Sequence, residues 1–183
     1  RRNRLREEQD EGGGMFHAFS LLSRPRFAFG VACIFLYVGA EVSIGSMIVN
    51  YLMQGDVWSV SDKVAGNHVS FYWGGALIGR FVGAYVLTRV SPGKVLAGVA
   101  TGAIALILVS ANTAGLVSGW TLLAIGLMNS IMFPAIFSLA SEGLGARAAE
   151  GSGVLAISIV GGAIVPPLTG HLADITGSLH FAL

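Results

Sequence analysis

Two side chains carry charge where charge is costly. Glu41 is the only charged residue in an apolar run from Phe27 to Met53, and Arg80 lies inside the next apolar run, Val69–Val90. Ionisable groups at membrane depth are rare, face a bundle interior or a water-filled cavity, and mark substrate or ion pathways. Each lies about 11 residues from the outer end of its run, which in a helix places both roughly 16 Å deep. Opposite charges at one depth on adjacent helices are natural partners. Glu41 and Arg80 are therefore read as an intramembrane ion pair or gate, with a purely structural pair as the alternative. Tyr37, Gly45, Ile48 and Tyr51 share the Glu41 face at helical spacing. Rings that stack on C–H faces, beside a carboxylate that accepts hydroxyl hydrogens, suit a sugar; plain aromatic packing is the alternative. Asn50 lies nine residues beyond Glu41, on the opposite face of an unbroken helix, unless Gly45-Ser46 distorts it. Asn129-Ser130 precedes Pro134, whose ring frees a backbone carbonyl about one turn earlier. Its amide needs a partner in a cavity or on another helix. The candidate substrate ligands are Glu41, Tyr37, Asn50, Asn129 and Tyr51.

The elements that must position these groups follow from composition. Hydrophobic residues make up 54% of 183 positions and charged residues 11%, with a mean hydropathy of +0.72. Soluble domains carry about 25% charged residues, so an all-α membrane protein is expected. Crossing the hydrocarbon core takes about 20 mainly apolar residues. Residues 27–53, 69–90, 95–112, 116–140 and 148–170 meet that need, and the closing "GSLHFAL" reads as the start of a sixth span. The runs are continuous rather than alternating, which argues against strands. Pro92-Gly93 reads as a turn after the second span. Gly75, Gly79 and Gly83 recur every fourth residue and form a stripe for close helix packing. Trp73 reads as an interfacial anchor, with a cavity ring as the alternative. Gly161-Gly162 and Pro166-Pro167 predict a kinked or broken outer half of the fifth span. Cys33, the single cysteine, reads as a small core residue.

Charge placement sets the orientation. Arg1, Arg2, Arg4, Arg6, Arg24, Arg26, Arg89, Lys94 and Arg147 share one side of a five-span arrangement, and Lys63 alone lies on the other. Residues 1–26 and 141–147 are therefore expected in the cytoplasm and residues 54–68 outside. The opening "RRNRLREEQDEGGG" reads as a solvated linker rather than a signal peptide. No HExxH, GxSxG or acid pair at depth is present, so an enzyme is disfavoured, and neither a metal nor a cofactor is expected.

The loop "GAYVLTRVSPGKVL" (83–96) resembles the signature loop of the major facilitator superfamily. Gly83, Arg89 and Lys94 match it, whereas Thr88 replaces its Asp, Ser91 its Gly, and Pro92 and Gly93 its two Arg. This degenerate form resembles the copy in the second half of such transporters. "YVGAEVSIGS", "GRFVGAYVL", "MNSIMFPAIFSLASEGLG" and "GSGVLAISIVGGAIVPPLTGHLAD" together resemble the fucose–galactose–glucose:proton symporter family. The resemblance runs from residue 27 to 174. It implies a C-terminal half: helices seven to eleven, the start of twelve, and residues 1–26 as the central cytoplasmic loop. Residues 27–183 would then be the C-terminal bundle, incomplete at its end. The implied function is secondary transport of glucose, galactose or fucose with a proton, by alternating access in a bacterial inner membrane. The implied partners are a small sugar, the proton, the lipid bilayer and a missing N-terminal six-helix half; no nucleic acid is expected. The family's proton-coupling acids reside mainly in that other half. The alternatives are a proton-coupled carrier of another small solute and, behind it, a membrane scaffold or enzyme subunit.

Overall fold

A computed structural model describes residues 15–183. Residues 1–14, with Arg1, Arg2, Arg4 and Arg6, lie outside the described residues, and with them most of the linker expected over 1–26. The described residues are helical: a short α1 (Met15–Phe19), α2 (Pro25–Met53), α3 (Asp62–Leu87), α4 (Pro92–Asn112), α5 (Gly115–Asn129), α6 (Met132–Ser141), α7 (Ala148–Ile157), α8 (Gly161–Thr176) and α9 (Leu179–Ala182).

The helix ends follow local chemistry. Pro25 and Pro92 open α2 and α4, where a missing N–H costs nothing and a fixed φ suits the first turn. Pro92-Gly93 thus begins a helix instead of forming the expected turn. Asp62 begins α3, its carboxylate complementing the positive end of the helix dipole. The loop expected over 54–68 is consequently shorter, because its second half is already helical. Gly177 closes α8 in the left-handed conformation that glycine adopts without strain (φ 64°).

Four helical stretches are long and apolar enough to cross a membrane: Pro25–Met53, Pro92–Asn112, Gly115–Ser141 and Gly145–Thr176. Helix α3 spans 26 residues but is less apolar, since its glycines contribute little hydropathy and Asn67, His68 and Arg80 subtract from it. Two of the four stretches are interrupted. The first breaks at Ser130-Ile131, between α5 and α6, one turn before Pro134, as the missing N–H requires. The second passes through a single 3₁₀ turn, Ser158–Val160. The chain stays helical through Pro166-Pro167, and the irregular turn lies just ahead of Gly161-Gly162.

Helix α2 runs through both halves of the core. One cluster gathers Ile48, Tyr51 and Leu52 with Tyr72, Leu122 and Ile125. The other gathers Phe27, Ile34 and Tyr37 with Leu21, Ile136 and Leu155. Large apolar side chains such as Phe29, Leu36, Phe81, Leu168 and Ile175 face outward, the arrangement expected of helices surrounded by lipid or by further helices. Glycines set the closest crossings. A Cβ at Gly79 would overlap the Leu127 carbonyl and Ser130 of the α5–α6 segment, and one at Gly126 would overlap the Tyr72 carbonyl of α3. On the other side, Gly161 lies against the Phe35 carbonyl of α2.

Arg24, Arg26 and Arg147 meet at one end of the bundle. Arg24 donates to the Gly143 carbonyl at 3.3 Å, Arg26 pairs with Glu142, and Arg147 bridges Glu150 and the His17 carbonyl. At the opposite end the Gly115 N–H donates to the Asp56 carbonyl at 2.8 Å and joins the two loops there.

These crossings make a direct prediction for the full-length protein. Gly126→Ala should cost about 1–3 kcal/mol, the range for overpacking a filled core. Gly98→Ala, where a Cβ meets nothing within 4 Å, should be neutral or slightly stabilising. Thermal unfolding in detergent, followed side by side, checks the contrast.

Candidate functional site

A cavity of about 490 Å³ opens where α2, α3 and the α5–α6 break converge, lined by Tyr37, Glu41, Arg80, Ser130, Ile131, Phe133 and Pro134. Each element contributes for a local reason. Tyr37 and Glu41 are one helical turn apart on α2 and so present to the same side. The glycine stripe brings α3 close enough for Arg80 to reach the same space. Pro134 offers no N–H, so α5 ends at Asn129 and the chain restarts at Met132. Among the last carbonyls of α5, that of Asn129 accepts the Tyr37 hydroxyl at 2.8 Å.

The Asn129 side chain is engaged elsewhere. Its Nδ2 donates to the Tyr72 hydroxyl at 2.9 Å, and that hydroxyl makes a long 3.5 Å contact to the Glu41 carbonyl. Asn129 is 5% exposed and buttresses the cavity from behind rather than lining it. The interhelical alternative for this amide is the one the geometry supports.

Glu41 and Arg80 share the cavity but do not pair. Their charged atoms do not come within 4.0 Å of each other. The expected ion pair is thus not formed. Equal depth brings the two groups to one space, whereas contact also depends on angular position and side-chain direction.

Two expected ligands lie away from the cavity. Tyr51 shares the face of Glu41, but ten residues along α2 carry it about 15 Å toward the other end. There its buried hydroxyl bonds the Ser110 carbonyl and Oγ, Ser118 Oγ and His180 Nδ1 at 2.7–2.9 Å. His180 belongs to the expected start of a sixth span, of which Leu179–Ala182 forms one helical turn packed on this cluster. Asn50 is exposed and off the cavity, because α2 continues unbroken through Gly45-Ser46. Trp73 is half-exposed midway along α3, beside Tyr72 and Gly45. Sequence reasoning did not single out Phe133 or Ile131; the break at Pro134 was the signal that this segment faces a cavity.

Comparison with known proteins fits this geometry. No family model matches the chain. A "Glucose/galactose transporter" of Brucella abortus is 50% identical over 153 residues, covering 84% of this chain and 37% of that protein. The "L-fucose-proton symporter" of Escherichia coli is 34% identical over 175 residues, covering 94% and 40% respectively. The crystal structure of the transporter FucP in the outward conformation superposes with a TM-score of 0.87 at 33% identity, over 93% of this chain and 41% of that one. The chain thus spans about two fifths of the length of these relatives.

The all-helical, multi-pass bundle has the fold of part of a major facilitator superfamily transporter. Within that superfamily, the chain belongs to the family of the fucose permease and the glucose/galactose transporters. Its relatives are transporters, not enzymes.

The unpaired state of the two charges is testable. In the full-length protein, Arg80→Ala should not be rescued by Glu41→Gln. Groups out of contact contribute additively to within about 0.5 kcal/mol, and a double-mutant cycle on thermal stability measures the remainder. A coupling of several times that size would mean that a direct pair forms.

Proposed function

We propose that the chain is the C-terminal half of a proton-coupled hexose or deoxyhexose carrier. In this reading α2, α3, α4, α5–α6 and α7–α8 are five spans corresponding to helices seven to eleven, and α9 opens the twelfth. An N-terminal six-helix half completes the site, and residues 1–26 form the loop joining the halves. The degenerate loop at 83–96 and the share of the relatives that the chain covers support this assignment. The gathering of Arg24, Arg26 and Arg147 at one end supports a cytoplasmic location for that end, in a bacterial inner membrane.

The observation that carries the functional reading is the cavity of Tyr37, Glu41 and Arg80, in which a carboxylate and a guanidinium share one space without forming an ion pair with each other. A carboxylate accepts and a guanidinium donates, so together they match sugar hydroxyls, which do both. Tyr37 and Phe133 add ring surface for the C–H face of a pyranose. Transport follows if the two halves rock about this site and expose it alternately to each side. A proton entering down its gradient changes the charge of a carboxylate and biases that equilibrium; by family resemblance the coupling acids lie mainly in the other half.

Hexose uptake into proteoliposomes by the full-length carrier, with and without an inward proton gradient, tests this reading. Glu41→Gln should lower uptake at least about tenfold, the loss of one charged hydrogen bond of about 1.5–3 kcal/mol, at an equal amount of folded protein. Wild-type kinetics in that variant would return Glu41 to a structural role. Gradient-driven uptake of a different solute, without sugar uptake, would assign another cargo to the same fold.

The topology has its own test. In a Cys33→Ala background, single cysteines at the exposed positions Ser61 and Ala146 should react with an impermeant maleimide from opposite faces. Labelling from one face would overturn the five-span arrangement.

A further inference from the structure

At the end of the bundle opposite Arg24, Arg26 and Arg147, a second cavity of about 450 Å³ lies under the loop joining α2 to α3. It is walled by Val57, Trp58, Val60, His68, Gly115 and Trp120, among others, and no charged residue lines it. Its volume falls within the range of about 300–1,000 Å³ typical of small-molecule sites.

The rings form a box rather than a belt. Trp58 and Trp120 lie 5.3 Å apart between centroids, and His68 stands edge-on to both, at 4.9 Å and 79° to Trp58 and at 6.0 Å and 74° to Trp120. Phe71 packs edge-on against Trp120, 5.5 Å between centroids. The indole of Trp58 lies directly on α5 because Gly119 has no side chain to hold it off. The loop is fixed in place: the Gln54 carbonyl accepts the N–H groups of Val57 and Ser59, and the Asp56 carbonyl accepts that of Gly115. Between Trp58 and Val60, Ser59 adopts a left-handed backbone (φ 52°). A non-glycine residue held there is strained, and such strain concentrates at ligand sites.

His68 supplies a hydrogen-bond acceptor. Its Nδ1 lies 2.8 Å from the Val64 carbonyl, which can only accept, so Nδ1 carries the proton. Nε2 of the neutral ring is then a lone-pair acceptor, and it makes no hydrogen bond among the described residues. Trp58, which lines the same cavity, carries a buried Nε1 donor with no hydrogen-bond partner among the described residues. Ring faces with one acceptor and one donor favour an uncharged ligand with C–H faces and hydroxyls.

We propose that this cavity is an outer vestibule that docks a monosaccharide on Trp58 and Trp120, with a hydroxyl donated to His68 Nε2, before the sugar reaches the Glu41 cavity. The proposal rests on the hexose-carrier reading above. In the full-length carrier, Trp120→Leu should raise the KM for inward hexose uptake about 3–10-fold, the value of one aromatic contact, with Vmax retained. Trp120→Tyr, which keeps a ring face, should recover most of that affinity. Should the leucine variant fail to fold, His68→Phe keeps a ring and removes the acceptor, and KM should rise again. An unchanged KM in these variants, or a loss confined to the amount of folded protein as for a membrane-interface anchor, overturns the vestibule while leaving the carrier reading intact. Absence of hexose uptake by the unsubstituted carrier overturns both.

Discussion

The close approach of α3 to the α5–α6 segment is the constraint on which the site depends. Helices in an apolar surrounding gain little from burying more apolar surface, so their association rests on van der Waals fit and buried hydrogen bonds. Gly79 and Gly126 allow a backbone-to-backbone approach that any larger residue would prevent. That approach positions Tyr72 to receive the Asn129 amide and carries Arg80 to the edge of the same cavity. It also places the break before Pro134 opposite Tyr37, whose hydroxyl satisfies a carbonyl at the end of α5.

Polar satisfaction distinguishes scaffold from site. Deep in the bundle, Tyr51, Ser110, Ser118 and Asn129 all have partners. An unpaired polar group in such a medium costs about as much as a lost hydrogen bond, or more. Glu41 and Arg80 instead share one cavity without an ion pair between them. The cavity lowers their cost by admitting water or solute, which is why two charges can remain apart at this depth.

The two interruptions give the bundle its mechanical character. Helix α2, uninterrupted and shared by both core clusters, serves as the spine. The stretches Gly115–Ser141 and Gly145–Thr176 each contain an irregular turn, at Ser130-Ile131 and Ser158–Val160. Both pack on α2, and Gly161, just after the second turn, sits against its backbone. A helix interrupted next to a rigid one can adjust on one side of the break without unpacking the other.

The sequence by itself determined the class, the approximate spans and the unusual residues. Long apolar runs require helices in lipid, and Glu41 and Arg80 stand out in them because charge there needs a reason. The glycine stripe and the Pro134 break were legible too, since both act through local backbone chemistry. The second irregular turn, Ser158–Val160, lies just ahead of the region that the Gly161-Gly162 and Pro166-Pro167 pairs marked. Angular position and partner choice were decided only by the tertiary structure. A shared face could not tell Tyr37 from Tyr51, which depth separates into cavity and core. Equal depth could not tell an ion pair from two separate charges, because contact also depends on how α2 and α3 are rotated against each other, which only the packing of the whole bundle sets.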